Sequence, residues 1–251
     1  MRKLFCQIIL APALIVLAVQ ARAQQPSAFQ LPESFHFDYE VQQQVSGDNK
    51  NSTGPHTVIY YYSQKGDYMA IQAAEKNNNL IIYAKDGTTI VIDNQKKSIT
   101  IFNMSNMLAA MKNAPQYNQH NPANQPKQDN GNAQGGKTGR SKQVSGYQAE
   151  EYAYTNNKGE KASVWFAKVD FDVSLFHQFS SGGSAGPGMS QNKMPQSPSY
   201  PQPNDPNLLA VETKNNSHPG EGLTTQSIAK KSTVIETKGY TVNNLSNMMG
   251  R

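Results

Sequence analysis

Short runs of aromatic and β-branched residues, cut by turn residues every ~8–12 positions, leave residues 35–102 little choice but an antiparallel meander. Residues 35–42 alternate apolar and polar with the period of two that a half-buried strand needs. Strands are predicted over 56–63, 68–72, 80–83, 89–93 and 98–102, with turns at Lys65-Gly66-Asp67, Asn77-Asn78-Asn79, Asp86-Gly87 and Asn94–Lys97. A second cluster of signals lies at 144–167. Its arms, 144–154 and 162–167, are rich in aromatic and β-branched residues, and Asn156-Asn157-Lys158-Gly159 supplies the turn. The second arm is apolar on both faces, with Val164 and Phe166 on one side and Trp165 and Ala167 on the other, so it is expected to be a central strand, covered on one face by the helix over 104–112 or 172–179 and facing a barrel interior on the other.

The period changes in two places. Met104, Met107, Leu108 and Met111 fall at i, i+3, i+4 and i+7, one face of a short helix over 104–112. Val173, Phe176 and Phe179 recur three apart behind Asp172, a helix with its N-cap over 172–179. Strands follow at 208–213, 223–232, 233–236 and 240–242. Two tracts of Asn, Gln, Pro, Gly and Ser, at about 113–136 and 180–207, hold too few apolar residues to offset their ordering entropy and are expected to be disordered insertions. That leaves about 170–180 residues, enough for one domain with a sizeable core.

Met1-Arg2-Lys3, an apolar run from Leu4 to Val19 and Ala21-Arg22-Ala23 have the layout of an export signal over 1–23, cleaved near Ala23-Gln24. The expected product is residues 24–251, a single soluble β-rich domain in the periplasm or outside the cell. Cys6, the chain's one cysteine, leaves with the signal, so no disulfide holds the fold. Removing Arg2, Lys3 and Arg22 leaves 20 basic residues against 18 acidic ones, a net +2, which gives no electrostatic case for nucleic acid or an anionic membrane.

Several motifs resemble chemistry without its context. Gly131–Thr138 matches G-x-x-x-x-G-K-T, but a phosphate loop joins a strand to a helix N-terminus, and here a polar tract precedes it. Lys137-Thr138-Gly139 and Ser227-Ile228-Ala229-Lys230 match two serine-enzyme motifs in reversed order, the second on a predicted strand. His36, His56, His120, His177 and His218 are scattered without metal-ligand spacing. Asp86, Asp93, Glu150 and Glu151 could supply carboxylates for calcium, although Asp86 and Asp93 stand where turns favour Asp anyway. No cofactor or metal is expected.

The stretch Thr138-Gly139-Arg140-Ser141-Lys142-Gln143-Val144-Ser145-Gly146-Tyr147, followed by Tyr152 and Val164-Trp165-Phe166, resembles the T-G-x-x-K-x-I-x-G-Y … Y … V-W pattern of the exported bacterial domain of unknown function 4412. Gly66-Asp67-Tyr68-Met69, Ile92-Asp93, Lys97-Ser98, Ile228–Ser232 and Gly239-Tyr240 add looser support. Ala149, where that family often has Cys, and the two long tracts depart from it. The family is similar to the LolA/LolB-like fold of periplasmic lipoprotein carriers. That implies an α+β, mainly antiparallel β architecture: a curved incomplete β-barrel with short helices closing the concave side.

The resemblance implies no catalytic residue. The function expected is non-enzymatic binding of an apolar ligand, a lipid or acyl chain, walled by Met104, Met107, Leu108, Met111, Trp165 and Phe166. The alternative is a structural or protein-interaction module of the cell envelope acting through the Gln/Asn/Pro-rich tracts.

Overall fold

The computed structural model describes residues 29–47, 54–74, 79–103, 134–155, 159–180, 205–217 and 220–245. The chain divides into Met1–Gln30 and Leu31–Arg251, and the sheet described here belongs to the second unit. The expected signal (1–23), the helix over 104–112 and most of both low-complexity tracts lie outside the described residues.

In chain order the elements are β1 (Ser34–Ser46), β2 (His56–Tyr62), β3 (Tyr68–Ala73), β4 (Asn79–Ala84), β5 (Thr88–Asp93) and β6 (Ser98–Asn103), then β7 (Gln134–Val144), β8 (Tyr147–Thr155), β9 (Lys161–Lys168), α1 (Ser174–Ser180), β10 (Leu208–Asn215), β11 (Gly222–Glu236) and β12 (Thr241–Asn244). The twelve strands form one sheet in the order β12-β6-β5-β4-β3-β2-β1-β11-β10-β9-β8-β7. Every pair is antiparallel except β12 with β6. The sheet ends in two edges, β12 and β7, and is not closed. Among the described residues α1 is the one helix, so the architecture is mainly antiparallel β, with less helix than the α+β expectation.

The turns form for local reasons. Asp86 Oδ1 accepts the Thr88 N–H at 2.9 Å, and Asp93 Oδ1 accepts those of Gln95 and Lys96 at 3.0 and 2.9 Å, tying the β4–β5 and β5–β6 connections. Asp172 Oδ1 accepts the Ser174 N–H at 2.7 Å, which caps α1 as its sequence suggests. Between β7 and β8 both turn residues have positive φ, Ser145 at 48° and Gly146 at 85°, the two-residue geometry that matches strand twist. This turn corrects the expected 144–154 arm: Val144 ends β7, and the arm begins at Tyr147.

Two further boundaries differ from expectation. Residues 134–136, read as tract, are strand, because pairing with β8 from Ala153 to Thr155 satisfies their backbone without apolar side chains. Residues 205–207 form a turn whose Asn207 C=O accepts the Val169 N–H at 2.9 Å and whose Pro206 C=O accepts the Val173 N–H at 2.7 Å. The runs expected at 223–232 and 233–236 are one strand, β11, set by its long ladder with β1.

Strand β9 is buried on both faces, as its composition requires, and its alternating residues enter two different clusters. Trp165 and Ala167 join Tyr39, Tyr62, Met69, Leu209 and the residues of the β9–α1 connection. Phe171 from that connection stacks on Tyr39 with ring centroids 4.3 Å apart, and Phe176 of α1 meets Tyr60 edge-on at 5.3 Å. Val164 and Phe166 join Tyr154 and Ala210 on the other face. On β4 to β6 the cross-strand row Ile82–Ile90–Ile101 is also buried, each side chain contributing about 1.5–3 kcal/mol by leaving water.

Strand pairing is interrupted at two points, and a side chain substitutes at each. Where β2 stops, the Tyr68 hydroxyl from β3 accepts the His36 N–H at 3.1 Å and donates to the His36 C=O at 2.9 Å, so it completes the β1 backbone in place of a strand. The β10–β11 ladder holds only Glu212–Thr224, Thr213–Leu223 and Lys214–Gly222. Beyond it Gln43, fully buried, donates from Nε2 to the Ala210 C=O at 2.9 Å and to Thr225 Oγ1 at 3.0 Å. From Gln226 onward the outer rim of β11 pairs with no described strand, and Lys230 and Lys231 stand exposed on it, a common protection of a free edge.

Candidate functional site

The region with most chemical character lies over β7 to β10, on the Trp165 face. It starts from a register shift. Lys137 pairs with Tyr152 and Ser141 with Glu150, so Thr138, Gly139 and Arg140 together oppose Glu151. Gly139 sits at φ 82°, a left-handed conformation that glycine adopts without a Cβ penalty. A bulge of this kind re-aims side chains. Here it turns two onto one acid: Thr138 Oγ1 donates to Glu151 Oε2 at 2.7 Å, and the Arg140 guanidinium forms an ion pair with the same oxygen. Glu151 is only 3% exposed, so these donors replace the water its carboxylate has lost.

Cross-strand register sets the next layer. Glu151, Trp165 and Glu212 face one another across β8, β9 and β10, with an acid on each side of the indole. Lys142 lies over the indole, Nζ 4.3 Å from the ring centroid, and pairs with Glu212 Oε2. Lys214 Nζ holds Glu212 Oε1 at 2.9 Å. Burial alone would raise the Glu212 carboxyl, but the Lys142 and Lys214 ammonium groups outweigh it and hold the group below the usual carboxylate range.

The following row on this face is Ala153, Ser163 and Lys214, and the row after it includes Thr155 and Lys161. Small side chains at 153 and 163 between rows of long ones leave a hollow of about 370 Å³, open to solvent. Its floor is Ala153 and Ser163, the Trp165 indole borders it, and Arg140, Lys142, Lys161 and Lys214 reach around it.

A second charged cluster joins β1, β8 and the β9–α1 connection. Asp170 accepts hydrogen bonds from the Tyr147 hydroxyl at 2.8 Å and the Tyr39 hydroxyl at 3.0 Å. These phenols, Tyr147 foremost, hold the Asp170 carboxyl below its ordinary range. Burial and the neighbouring carboxylate push the Tyr147 phenol up to about 12. The cluster pins the β9–α1 connection to β1 and β8, with each Asp170 oxygen taken by one phenol.

Of the residues expected to wall an apolar cavity, Met104, Met107, Leu108 and Met111 lie outside the described residues. Trp165 borders the hollow, whereas Phe166 points to the opposite face, among Val164, Ala210 and Tyr154, so the two do not line one space. The Tyr39 end of the Trp165 face is filled by Phe171, Tyr62 and Phe176.

The look-alike motifs are spent structurally. Gly135 to Thr138 run in strand β7, with Lys137 Nζ on Glu150 at 2.5 Å, and Ser227 pairs with Gln42 inside β11. His36, His56 and His177 sit on three different elements, and among the described residues no group of three His, Cys, Asp or Glu could hold a metal ion. The residues missing from the sequence expectation are Arg140, Lys142, Glu212, Lys214 and Ser163. A glycine inside a strand-like run at 139 was the available sign of a bulge.

No family model matches the chain, and no curated protein matches it. Among solved structures, one of PNGF-II is similar with a TM-score of 0.36 and 12% identity, over 84% of this chain and 31% of that one. The chain therefore spans about a third of that protein's length. An uncharacterised conserved protein from Thermus thermophilus is similar with a TM-score of 0.40 and 4% identity, over 83% of this chain and 90% of the other. No helix among the described residues is long and apolar enough to cross a membrane.

Proposed function

We propose that the protein is an exported, non-enzymatic binding domain of the cell envelope, built on a curved, open LolA/LolB-like sheet, and that its ligand docks on the Trp165 face. The observation that carries this reading is the hollow itself. Ala153 and Ser163 leave about 370 Å³ beside the indole, and Arg140, Lys142 and Lys214 around it are held in ion pairs with Glu151 and Glu212. Both glutamates are tied up in ion pairs, which suits recognition better than proton transfer, since a general acid or base must exchange its proton with substrate. Because the Tyr39 end of the face is packed with the protein's own rings, the binding group expected in the hollow is polar.

Native mass spectrometry of the protein recovered from an expressing cell envelope tests this. A copurifying small molecule, lost in a variant that fills the hollow (Ser163→Phe), is the expected result. Apoprotein alone, with no thermal shift from any panel of polar or amphiphilic compounds, would overturn it.

A further inference from the structure

We infer that the Trp165 hollow is an oxyanion subsite: it takes a carboxylate, sulfate or phosphate group of a small ligand. The inference rests on the binding-domain reading above and specifies the chemistry of its ligand.

Charge and hydrogen-bond capacity lead to the same chemistry. Four cationic side chains line the hollow, Arg140, Lys142, Lys161 and Lys214, against two acids, Glu151 and Glu212. A guanidinium carries five N–H donors and each ammonium three, while a carboxylate offers two oxygens. The acids are already engaged: Glu151 by Thr138 and Arg140, Glu212 by Lys142 and Lys214. Lys161 has no ion-pair partner among the described residues, and the Ser163 hydroxyl lies at the floor. The hollow therefore presents a surplus of donors and of positive charge, and a ligand that fits it must be rich in acceptors and negative.

The donors are also positioned before any ligand arrives, which lowers the ordering cost of binding. The left-handed Gly139 aims Arg140, and the indole holds Lys142 from beneath. A row of lysines on a flat sheet face would be solvated and mobile. Here three of the four cations are held in ion pairs, and the small residues between them leave room for the anion.

Trp165 is the only tryptophan in the chain, so its fluorescence reports on the hollow without a label. The full chain is titrated with glucuronate, inorganic phosphate and glucose, at ionic strength held constant with sodium chloride. The expected result is a saturable change with glucuronate, phosphate or both, and none with glucose. Glucuronate against phosphate identifies the class of oxyanion.

Lys161→Gln and Lys214→Gln should each weaken binding about fivefold, and Lys161→Gln, which breaks no ion pair among the described residues, should leave the urea midpoint within error of wild type. Equal responses to all three probes, or variants that bind the anions like wild type, would overturn the subsite. Saturation by glucose alone would overturn it while leaving the binding-domain reading intact. Absence of any response, together with apoprotein alone in native mass spectrometry, would overturn both.

Discussion

Gln43→Glu is nearly isosteric, yet it should convert a stable protein into a pH-sensitive one. Gln43 is fully buried, and its Nε2 is the donor that completes the end of the β10–β11 ladder, to the Ala210 C=O at 2.9 Å and Thr225 Oγ1 at 3.0 Å. The introduced carboxyl, when protonated, can donate its O–H to the same carbonyl. When ionised, it would set a desolvated carboxylate against a carbonyl oxygen, so its folded-state pKa must rise above the unfolded value of about 4.3.

Below about pH 4.3 both states carry the proton and the variant is close to wild type. As pH rises, the unfolded state releases the proton and the folded state keeps it. Stability then falls by about 1.36 kcal/mol per pH unit until the folded group ionises. Buried glutamates reach pKa values of about 8–9, so the loss at pH 7 should be about 3–4 kcal/mol. Urea unfolding followed by Trp165 fluorescence, run on both proteins from about pH 4 to pH 8, measures the difference and cancels the titrations they share. A difference that stays flat across that range, or remains below about 1 kcal/mol at pH 7, would refute the assignment of Gln43 as the donor that closes the gap.

Trp165→Ala should cost about 3–5 kcal/mol in urea unfolding, the loss expected for a large aromatic that is 8% exposed; a loss near zero would place the indole outside the core. Gly139→Val forces a β-branched residue into φ 82° and should cost about 1–2 kcal/mol. It should also shift the Trp165 emission as Arg140 leaves Glu151, and an unchanged spectrum would disconnect the bulge from the hollow. Asp170→Asn should destabilise by less than about 1 kcal/mol at pH 7, since the group is exposed. Because the native carboxyl is depressed, its contribution is present above the unfolded pKa and lost as pH falls through the folded one. Wild type and variant should therefore converge in acid, and divergence there would contradict the Tyr39–Asp170–Tyr147 contact. In alkaline spectrophotometric titration the Tyr147 and Tyr154 phenols should both ionise at about 12, and Tyr147→Phe should remove one of the two.

What the sequence made legible was local. The runs between 35 and 102 alternate or pair across turns whose residues, Asp86-Gly87 above all, state their geometry, and β2 to β6 stand where they were expected. The doubly apolar arm 162–167 announced a strand without a solvent face, although it was expected at the centre and β9 stands third from the β7 edge, and Asp172 announced the start of α1. Strand β7 was half hidden, since Gly135, Gly136 and Lys137 carry no apolar pattern and become strand only because β8 pairs with them. Its turn was hidden too, since Ser145 at positive φ is an uncommon partner for glycine. The hollow was least legible. It is a property of rows, such as Glu151–Trp165–Glu212 and Ala153–Ser163–Lys214, and rows exist only once register across three strands is known. Gln43 looked like one of three consecutive glutamines, and only the short β10–β11 ladder gives it a distinct role.

The pairing of β1 with β11 has a kinetic consequence. Strands β2 to β6 can form as successive hairpins, each closing a short loop, and so can β7 to β9. Those two local blocks become one sheet only when Ser34–Ser46 finds Gly222–Glu236, a contact across most of the chain. Loop closure of that length is entropically uphill until the ladder is in place, so this step should limit the folding rate. A chain emerging N-terminus first would hold its first strand half paired, bound to β2 alone, until residues 222–236 appear. Refolding that begins with fast hairpin signals and finishes with one slow, concerted phase is the expected signature, and shortening the chain before residue 222 should abolish that phase altogether.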